Sequence, residues 1–118
     1  MAVGDSALTN NTAIGNNTLY FNTTGQNNTA IGDSALTSNT TAYGNTAIGF
    51  MSLYNNTTGE NNTAIGNNTA TGITTGSANT IIGANVTGLA SNISNNIIIA
   101  DGSGNRRINV TATGYVGI

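Results

Sequence analysis

The chain has 118 residues, which is enough for one domain, and a formal net charge of -2 at pH 7. Charged residues make up only 5% of it and it has neither His nor Cys, so disulfides, thiolate metal sites and imidazole chemistry are excluded. With four acids, two adjacent arginines and no Lys, it has little means of acid–base catalysis and no basic surface for phosphates. We therefore predict that it is not an enzyme, carries no metal or cofactor and does not bind nucleic acid.

Membrane insertion is not expected either. The first residues, Met1 to Ser6, lack the charged and then apolar pattern of a signal peptide. No apolar run approaches the ~20 residues that span a bilayer.

The most regular feature is the phrase Asn-Thr-Ala-Ile-Gly, which returns every seventeen residues. It begins at Asn11, Asn28, Asn45, Asn62 and, with Ile in place of Ala, at Asn79. A fixed period without insertions indicates that each copy has an equivalent place in a stack. Sixteen Gly residues and the lack of a 3.6-residue apolar period argue against helix. The sequence predicts an all-β parallel solenoid.

Each phrase is predicted to form a strand, because β-branched Thr and Ile alternate in it with small residues. Thr12 and Ile14 then point to one side of the strand, and Ala13 and Gly15 to the other. We predict that the Ile positions stack into a core column and that the Leu positions five residues later form a second. The predicted core is Ile14, Ile31, Ile48, Ile65, Ile82, Ile99, Leu19, Leu36 and Leu53.

The repeat extends beyond the five obvious copies. Asn96-Ile-Ile-Ile-Ala100 lies one period further on, and Ala2-Val3-Gly4 begins a truncated copy eleven residues ahead of Gly15. The six residues that this copy lacks correspond to the arm that contains Asn22-Thr-Thr-Gly25, so the arm is predicted to be an optional loop, whose Asn and Gly supply left-handed backbone. Residues 1–100 would form about seven rungs, roughly 30 Å long at the strand spacing of ~4.8 Å.

A coil with so little core per turn is expected to associate. One Ile and at most one Leu per turn provide little apolar burial against ~1.5 kcal/mol per residue of ordering cost. The column of Ala13, Ala30, Ala47 and Ala64 is small enough for backbones of identical coils to approach closely. The alternative is that Ala only fits a tight coil.

Residues 101–118 depart from the repeat. Gly-rich turns between alternating apolar segments predict a β-hairpin and a further strand, which would cap the stack or connect it to more of a longer natural protein. The oxygen-bearing side chains of Asp101, Ser103 and Asn105 are spaced as in some calcium loops, but one carboxylate is too few. A turn is the prediction there.

The aromatic residues of the repeats are the candidates for surface binding. Exposed together, they could stack on the apolar faces of sugar rings, although such residues more often fill gaps between coils or protomers. They are Tyr20, Phe21, Tyr43, Phe50 and Tyr54. The many Asn-x-Thr triplets are formally glycan acceptors, but we expect stacked Asn side chains to bond along the rod axis instead.

These repeats resemble those of a known class of surface protein. The Asn-Thr-Ala-Ile-Gly phrase is similar to the head repeats of trimeric autotransporter adhesins, which build a left-handed parallel β-roll in a homotrimer. Thr29 to Leu36, the Asn56-Thr-Thr-Gly59 turn and the closing segments 97–105 and 114–118 look still more like bacteriophage tail-fibre repeats. The resemblance implies a homotrimeric extracellular fibre, on a virion or a bacterial surface, that attaches to a glycan or protein receptor.

Two other functions stay open at this stage. Ice binding is suggested by the column of Thr12, Thr29, Thr46, Thr63 and Thr80 on a weakly charged β-solenoid, although Ile occupies the place of the second Thr column. A self-assembling extracellular filament is the other, because open solenoid ends are unpaired strand edges.

Overall fold

The computed structural model describes residues 9–117 and shows a parallel β-solenoid of about five turns with a period of seventeen residues. Among these residues there is no helix. The repeat phrases form five three-residue strands, β1 (Thr12–Ile14), β2 (Thr29–Ile31), β3 (Thr46–Ile48), β4 (Thr63–Ile65) and β5 (Thr80–Ile82). They are followed by β6 (Ile97–Ala100), β7 (Arg106–Val110) and β8 (Val116–Gly117). The copy predicted at Ala2-Val3-Gly4 lies outside the described residues.

The strands form one sheet in chain order. β1 to β6 pair in parallel with each residue opposite the one seventeen positions on, so that Thr29 faces Thr46 and Ile31 faces Ile48. β7 then pairs antiparallel with β6, with a register shift after Ile99, and β8 pairs antiparallel with β7. The molecule is elongated, with extents of 44 × 25 × 18 Å.

The inner side of the sheet carries Ala, and the predicted Ile column was wrong. Ala30, Ala47 and Ala64 are fully buried, and Ile81 and Ile98 continue their column inside. The predicted core residues Ile14, Ile65, Ile82 and Ile99 are 58%, 38%, 40% and 38% exposed, while Ile31 and Ile48 are half-buried. Thr and Ile do share one side of the strand, as the alternation predicts, but that side faces outwards. The Ala column is therefore not available for association.

The close stacking of turns explains this orientation. The Gly that follows each strand lies on the Ala side, and a Cβ at Gly32 would come within 2.6 Å of the Gly49 carbonyl oxygen. The backbone there has φ +128, which L side chains rarely adopt. The space inside each of the first three turns is therefore small. Leu19, Leu36 and Leu53 fill most of it with no exposure, so the inward position of the strand in the same turn holds the small residue Ala.

Two columns of Asn side chains hold successive turns together. Asn28, Asn45 and Asn62 begin the repeat phrases and are buried. Each accepts the backbone N–H of the next Asn, as in Asn45 N to Asn28 Oδ1 at 2.9 Å, and donates to a carbonyl, as in Asn45 Nδ2 to Gly59 O at 2.8 Å. These bonds run along the solenoid axis, as expected for stacked Asn.

The second Asn column lies in the arm, which is part of the coil. Asn39 and Asn56 are fully buried; Asn39 donates to Asn22 Oδ1 at 2.8 Å, and Asn56 donates to Asn39 Oδ1 at 3.3 Å. Ile73 replaces Asn in the next turn, and Asn56 Oδ1 has no partner. In the described turns the arm thus encloses polar core.

Left-handed backbone occurs at other positions than those predicted. Neither Asn22 nor Gly25 has a positive φ; Gly25 is needed because a Cβ would lie 2.4 Å from the Ala42 oxygen. The left-handed residues instead recur in columns, which include Leu19, Leu36 and Leu53 with φ of 51, 50 and 51. Because a non-glycine residue in this conformation costs roughly 1–2 kcal/mol, burial of these leucines must offset a local penalty.

Candidate interaction surfaces

The outer side of the parallel sheet presents two regular columns, which we call the Thr–Ile face. One column is Thr12, Thr29, Thr46, Thr63, Thr80 and Ile97; the other is Ile14, Ile31, Ile48, Ile65, Ile82 and Ile99. Neighbouring residues within a column are about 4.8 Å apart, and the columns are about 6.7 Å apart, since residues two apart in a strand lie on one side.

The Thr–Ile face is uncharged and partly apolar. None of its twelve positions carries an ionisable group, and Ile97 is 45% exposed beside the exposed Ile82 and Ile99. A contiguous stripe of exposed large aliphatic residues along the outer side of the parallel sheet marks an interaction surface. The face can pack against a second uncharged surface or order water, but it offers no group for acid–base or metal chemistry.

The predicted aromatic site divides into separate columns. Tyr20 and Tyr54 occupy equivalent positions two turns apart, and Phe21 follows Tyr20. Phe50 lies two residues after β3, and Tyr43 lies three residues before it. Tyr20, Phe21, Tyr43 and Phe50 are 48%, 57%, 47% and 47% exposed, while Tyr54 is half-buried. The five residues therefore do not occupy one position of the coil, and only Tyr20, Phe21 and Tyr54 share a stretch of it.

Tyr20 and Phe21 form a ring pair beside a depression. Their centroids are 4.9 Å apart with the planes at 89°, an edge-to-face geometry. The depression is lined by Tyr20, Phe21, Asn22 and Thr23. Its lining is aromatic and neutral polar, without an ionisable acid or base.

Tyr43 has a different setting, next to an acid of the following turn. The Glu60 carboxylate, hydrogen-bonded to the Tyr43 hydroxyl, raises the pKa of Tyr43 through that bond and through its charge. Tyr43 thus stays neutral, and part of its polar end is already engaged by the protein.

The loop between β6 and β7 is organised around Asp101. Its carboxylate accepts the backbone N–H groups of Ser103 at 2.9 Å and Asn105 at 3.1 Å, and Arg107 Nη2 donates to it at 2.6 Å. The Asn105 side chain and the Ser103 N–H are the main causes that lower the pKa of Asp101 to about 2. The oxygens are used in a turn, so the spacing noted in the sequence serves the connection to β7.

The apolar character of the Thr–Ile face was not predicted from the sequence, because the Ile column was assigned to the core. A signal was available in the same strand. Thr12 and Ile14 share a side, and a column of buried Thr hydroxyls without partners would be costly. That cost favours the outward orientation.

The described residues contain neither a cluster of metal-binding side chains nor a membrane-spanning helix. There is no group of three or more His, Cys, Asp or Glu that could hold a metal ion. Within residues 9–117 no helix is long and apolar enough to cross a membrane.

In comparisons with known proteins, no protein-family model, no curated protein and no solved structure matches this chain.

Proposed function

We propose that this chain is a structural and attachment module of an extracellular fibre, as in a phage tail fibre or a bacterial surface adhesin, built from three copies joined through their Thr–Ile faces. The observation that carries the proposal is the exposed Ile column on an uncharged sheet surface. The receptor-binding surfaces would then be the sides of the coil away from the sheet.

The small core supports the need for a partner surface. Of the fourteen buried hydrophobic residues in the described chain, six are Ala, which contribute little apolar area. Burial of the exposed Ile column would add about 25 cal/mol for each Å2 removed from water. Identical copies provide such a surface without any further component, because their Thr–Ile faces have the same strand spacing.

Three copies would close the assembly. A closed cyclic arrangement leaves no Thr–Ile face exposed, whereas an open one would continue to add copies. Each receptor site would occur three times on the rod, and linked weak contacts give lasting adhesion even when one contact is short-lived. In this arrangement the chain supplies a rigid spacer and a repeated binding surface.

The mass of the purified protein in solution tests this proposal. Light scattering coupled to size-exclusion chromatography should give three times the chain mass of 11.8 kDa. Ile82→Lys should give a folded monomer, because it places charge in the joined faces while pointing away from the core. The proposal fails if the wild-type protein is a monodisperse monomer.

β5 provides a matched control for that variant. Ile81 adjoins Ile82 in the same strand but is 1% exposed, so Ile81→Lys should unfold the coil and not merely dissociate it. Circular dichroism on both variants separates the two effects. If Ile82→Lys and Ile81→Lys unfolded the protein to the same extent, the assignment of Ile82 to the outer side of β5 and Ile81 to the inner side would be contradicted.

Ice binding is the second candidate, and the outward Thr column favours it. Thr29, Thr46, Thr63 and Thr80 face one another in register across β2 to β5, which gives hydroxyl groups a regular spacing on an uncharged surface. The companion column contains Ile and not Thr, which weakens this candidate.

The two candidates need the same face in opposite states. Ice binding requires an exposed face on a monomer, whereas the fibre buries it. Inhibition of ice recrystallisation by a monomer, lost in Thr46→Lys, would favour ice binding; a trimer without such inhibition would exclude it.

A further inference from the structure

We propose that Tyr20, Phe21 and Tyr54 form a binding site for an extended neutral oligosaccharide that lies along the solenoid axis. The proposal rests on the attachment function proposed above and names the chemical class of its ligand. It is carried by the arrangement of these three rings and by the uncharged depression beside Tyr20 and Phe21.

The rings of Tyr20 and Phe21 are unusually accessible to a ligand. Tyr20 and Phe21 leave about half of their surface in water, 48% and 57%, whereas Leu19, their neighbour in the chain, is fully buried. Exposing two adjacent aromatic rings forgoes burial that a core position would provide. The pair is fixed by its edge-to-face contact at 4.9 Å, so its rings keep a defined orientation for a ligand.

The separation of Tyr20 and Tyr54 also suits an extended ligand. The backbone keeps the column in register, since Phe21 N donates to Thr37 O at 3.0 Å and Ser38 N donates to Tyr54 O at 3.1 Å. Tyr20 and Tyr54 are thus two turns apart, about 9.6 Å at the strand spacing. A rigid separation of this size suits two sugar rings of one extended chain, one on each Tyr.

The side chains that line the depression favour a neutral ligand. Asn22 and Thr23 complete the depression with neutral polar atoms, and the two arginines of the chain lie at Arg106 and Arg107 in β7, five periods further along. A neutral sugar fits, because it presents apolar C–H faces to the rings and hydroxyl groups to the polar rim. An acidic ligand would meet no positive charge there.

Position on the coil makes the site compatible with assembly. Phe21 is about half a turn along the chain from Ala13, the middle residue of β1. Copies joined through the Thr–Ile face would therefore leave this stretch open. The other two aromatic residues of the repeats, Tyr43 and Phe50, serve as internal references, since both are as exposed as Tyr20 but lie in other columns.

The test uses the full chain and cellohexaose as an extended neutral probe, with titration calorimetry and NMR shift mapping. We expect saturable binding that shifts the signals of residues 20–23 and 54. Tyr20→Ala and Tyr54→Ala should each weaken it about two- to twelvefold, the range that corresponds to one aromatic contact of about 0.5–1.5 kcal/mol. Phe50→Ala, a matched loss of one exposed ring, should leave binding unchanged.

Several outcomes decide the proposal separately from the fibre. No binding, or equal losses in Phe50→Ala and Tyr20→Ala, overturns the sugar site. Equal affinity for an oligogalacturonate of the same length overturns its neutral specificity. Sugar binding by a protein that is monomeric supports the site and removes the fibre assembly, whereas a trimer that binds no sugar removes the site alone. Circular dichroism verifies that each variant folds.

Discussion

The buried Asn that begins each repeat phrase fixes the register of the next turn. Asn45 accepts the N–H of Asn62 at 2.9 Å and donates to Gly59 O at 2.8 Å. A hydroxyl or carboxylate could not supply both bonds in the same geometry, since only an amide carries a donor and an acceptor side by side. The repeated Asn of the phrase is thus explained by the hydrogen bonds between turns.

Asn45→Ala should lower the free energy of unfolding by about 2–3 kcal/mol. The Gly59 oxygen keeps the bond from Asn56 at 2.9 Å, but the Asn62 N–H is left buried without a partner, which costs about 1–3 kcal/mol, and a small cavity remains. Urea denaturation measures the loss. Asn67→Ala, at an exposed position, is the control and should change stability by less than about 0.5 kcal/mol.

The alternation of side chains along each strand could be predicted from the sequence, but which side of the strand faces the core could not. Alternation places Thr12 with Ile14 and Ala13 with Gly15, and the structure has that arrangement. Alternation does not say which pair faces inwards. The larger side chain of Ile led to its assignment to the core. The coil, however, has no room for an inward Ile in a turn that also buries Leu36 or Leu53. The inward strand position is therefore Ala in those turns and becomes Ile only after the Leu column has ended.

Within each turn, the core volume is kept similar because successive turns place their large side chain at different repeat positions. The third turn has Ala47, Leu53 and Asn56 inside; the fourth has Ala64, Ala70 and Ile73. Where the leucine is lost, an isoleucine replaces the arm asparagine. In the fifth turn the strand position itself becomes Ile81. The drift that the sequence shows after residue 66 is therefore an exchange of core positions within an unchanged coil.

This exchange predicts coupling between two positions of one turn. Ala47→Ile should overpack the third turn and destabilise the protein by about 1–3 kcal/mol. Leu53→Ala should restore part of that loss in the double variant, because Ala70 shows that Ala is accepted at the equivalent position with φ 57. A double-mutant cycle by urea denaturation measures the coupling. Additive losses in the double variant would contradict the volume argument.

The junction of β6 and β7 is the element whose stability should depend on pH. Hydrogen bonds from Asn105, Ser103 and Arg107 lower the pKa of Asp101 from 3.8 to about 2. The folded value lies below the unfolded one, so the stabilisation is present above pH ~4 and is lost as the pH falls from 4 towards 2. The protection factors of the β7 amides, which correct the exchange rates for the pH dependence of intrinsic exchange, should therefore fall in this range.

Asp101→Asn is the control for that prediction. It removes the titrating group, so the protection factors of the β7 amides should be lower at pH 7 and should vary less between pH 4 and 2. The parallel strands β2 to β5 contain no acid, and their amides should respond little in either protein. An equal response of β3 and β7 would show that the effect is not local.

For the whole molecule, the parallel stack, its period and its change at Asp101 could be predicted from the repeat. The number of copies in the assembly could not, because a period describes contacts within the chain, and an exposed face does not state how many partners cover it. The Thr–Ile face supplies the surface; its occupancy is a matter of association energy and concentration.

Thermal unfolding at different concentrations tests that occupancy. If three copies unfold together, a hundredfold dilution should lower Tm by about 5–10 °C, given an enthalpy near 0.7 kcal/mol per residue. In Ile82→Lys the Tm should be lower and independent of concentration, because the monomer unfolds alone. A wild-type Tm that does not move on dilution would mean that each coil is stable with its Ile column in water, and the face would then have to be explained by a ligand other than a second copy.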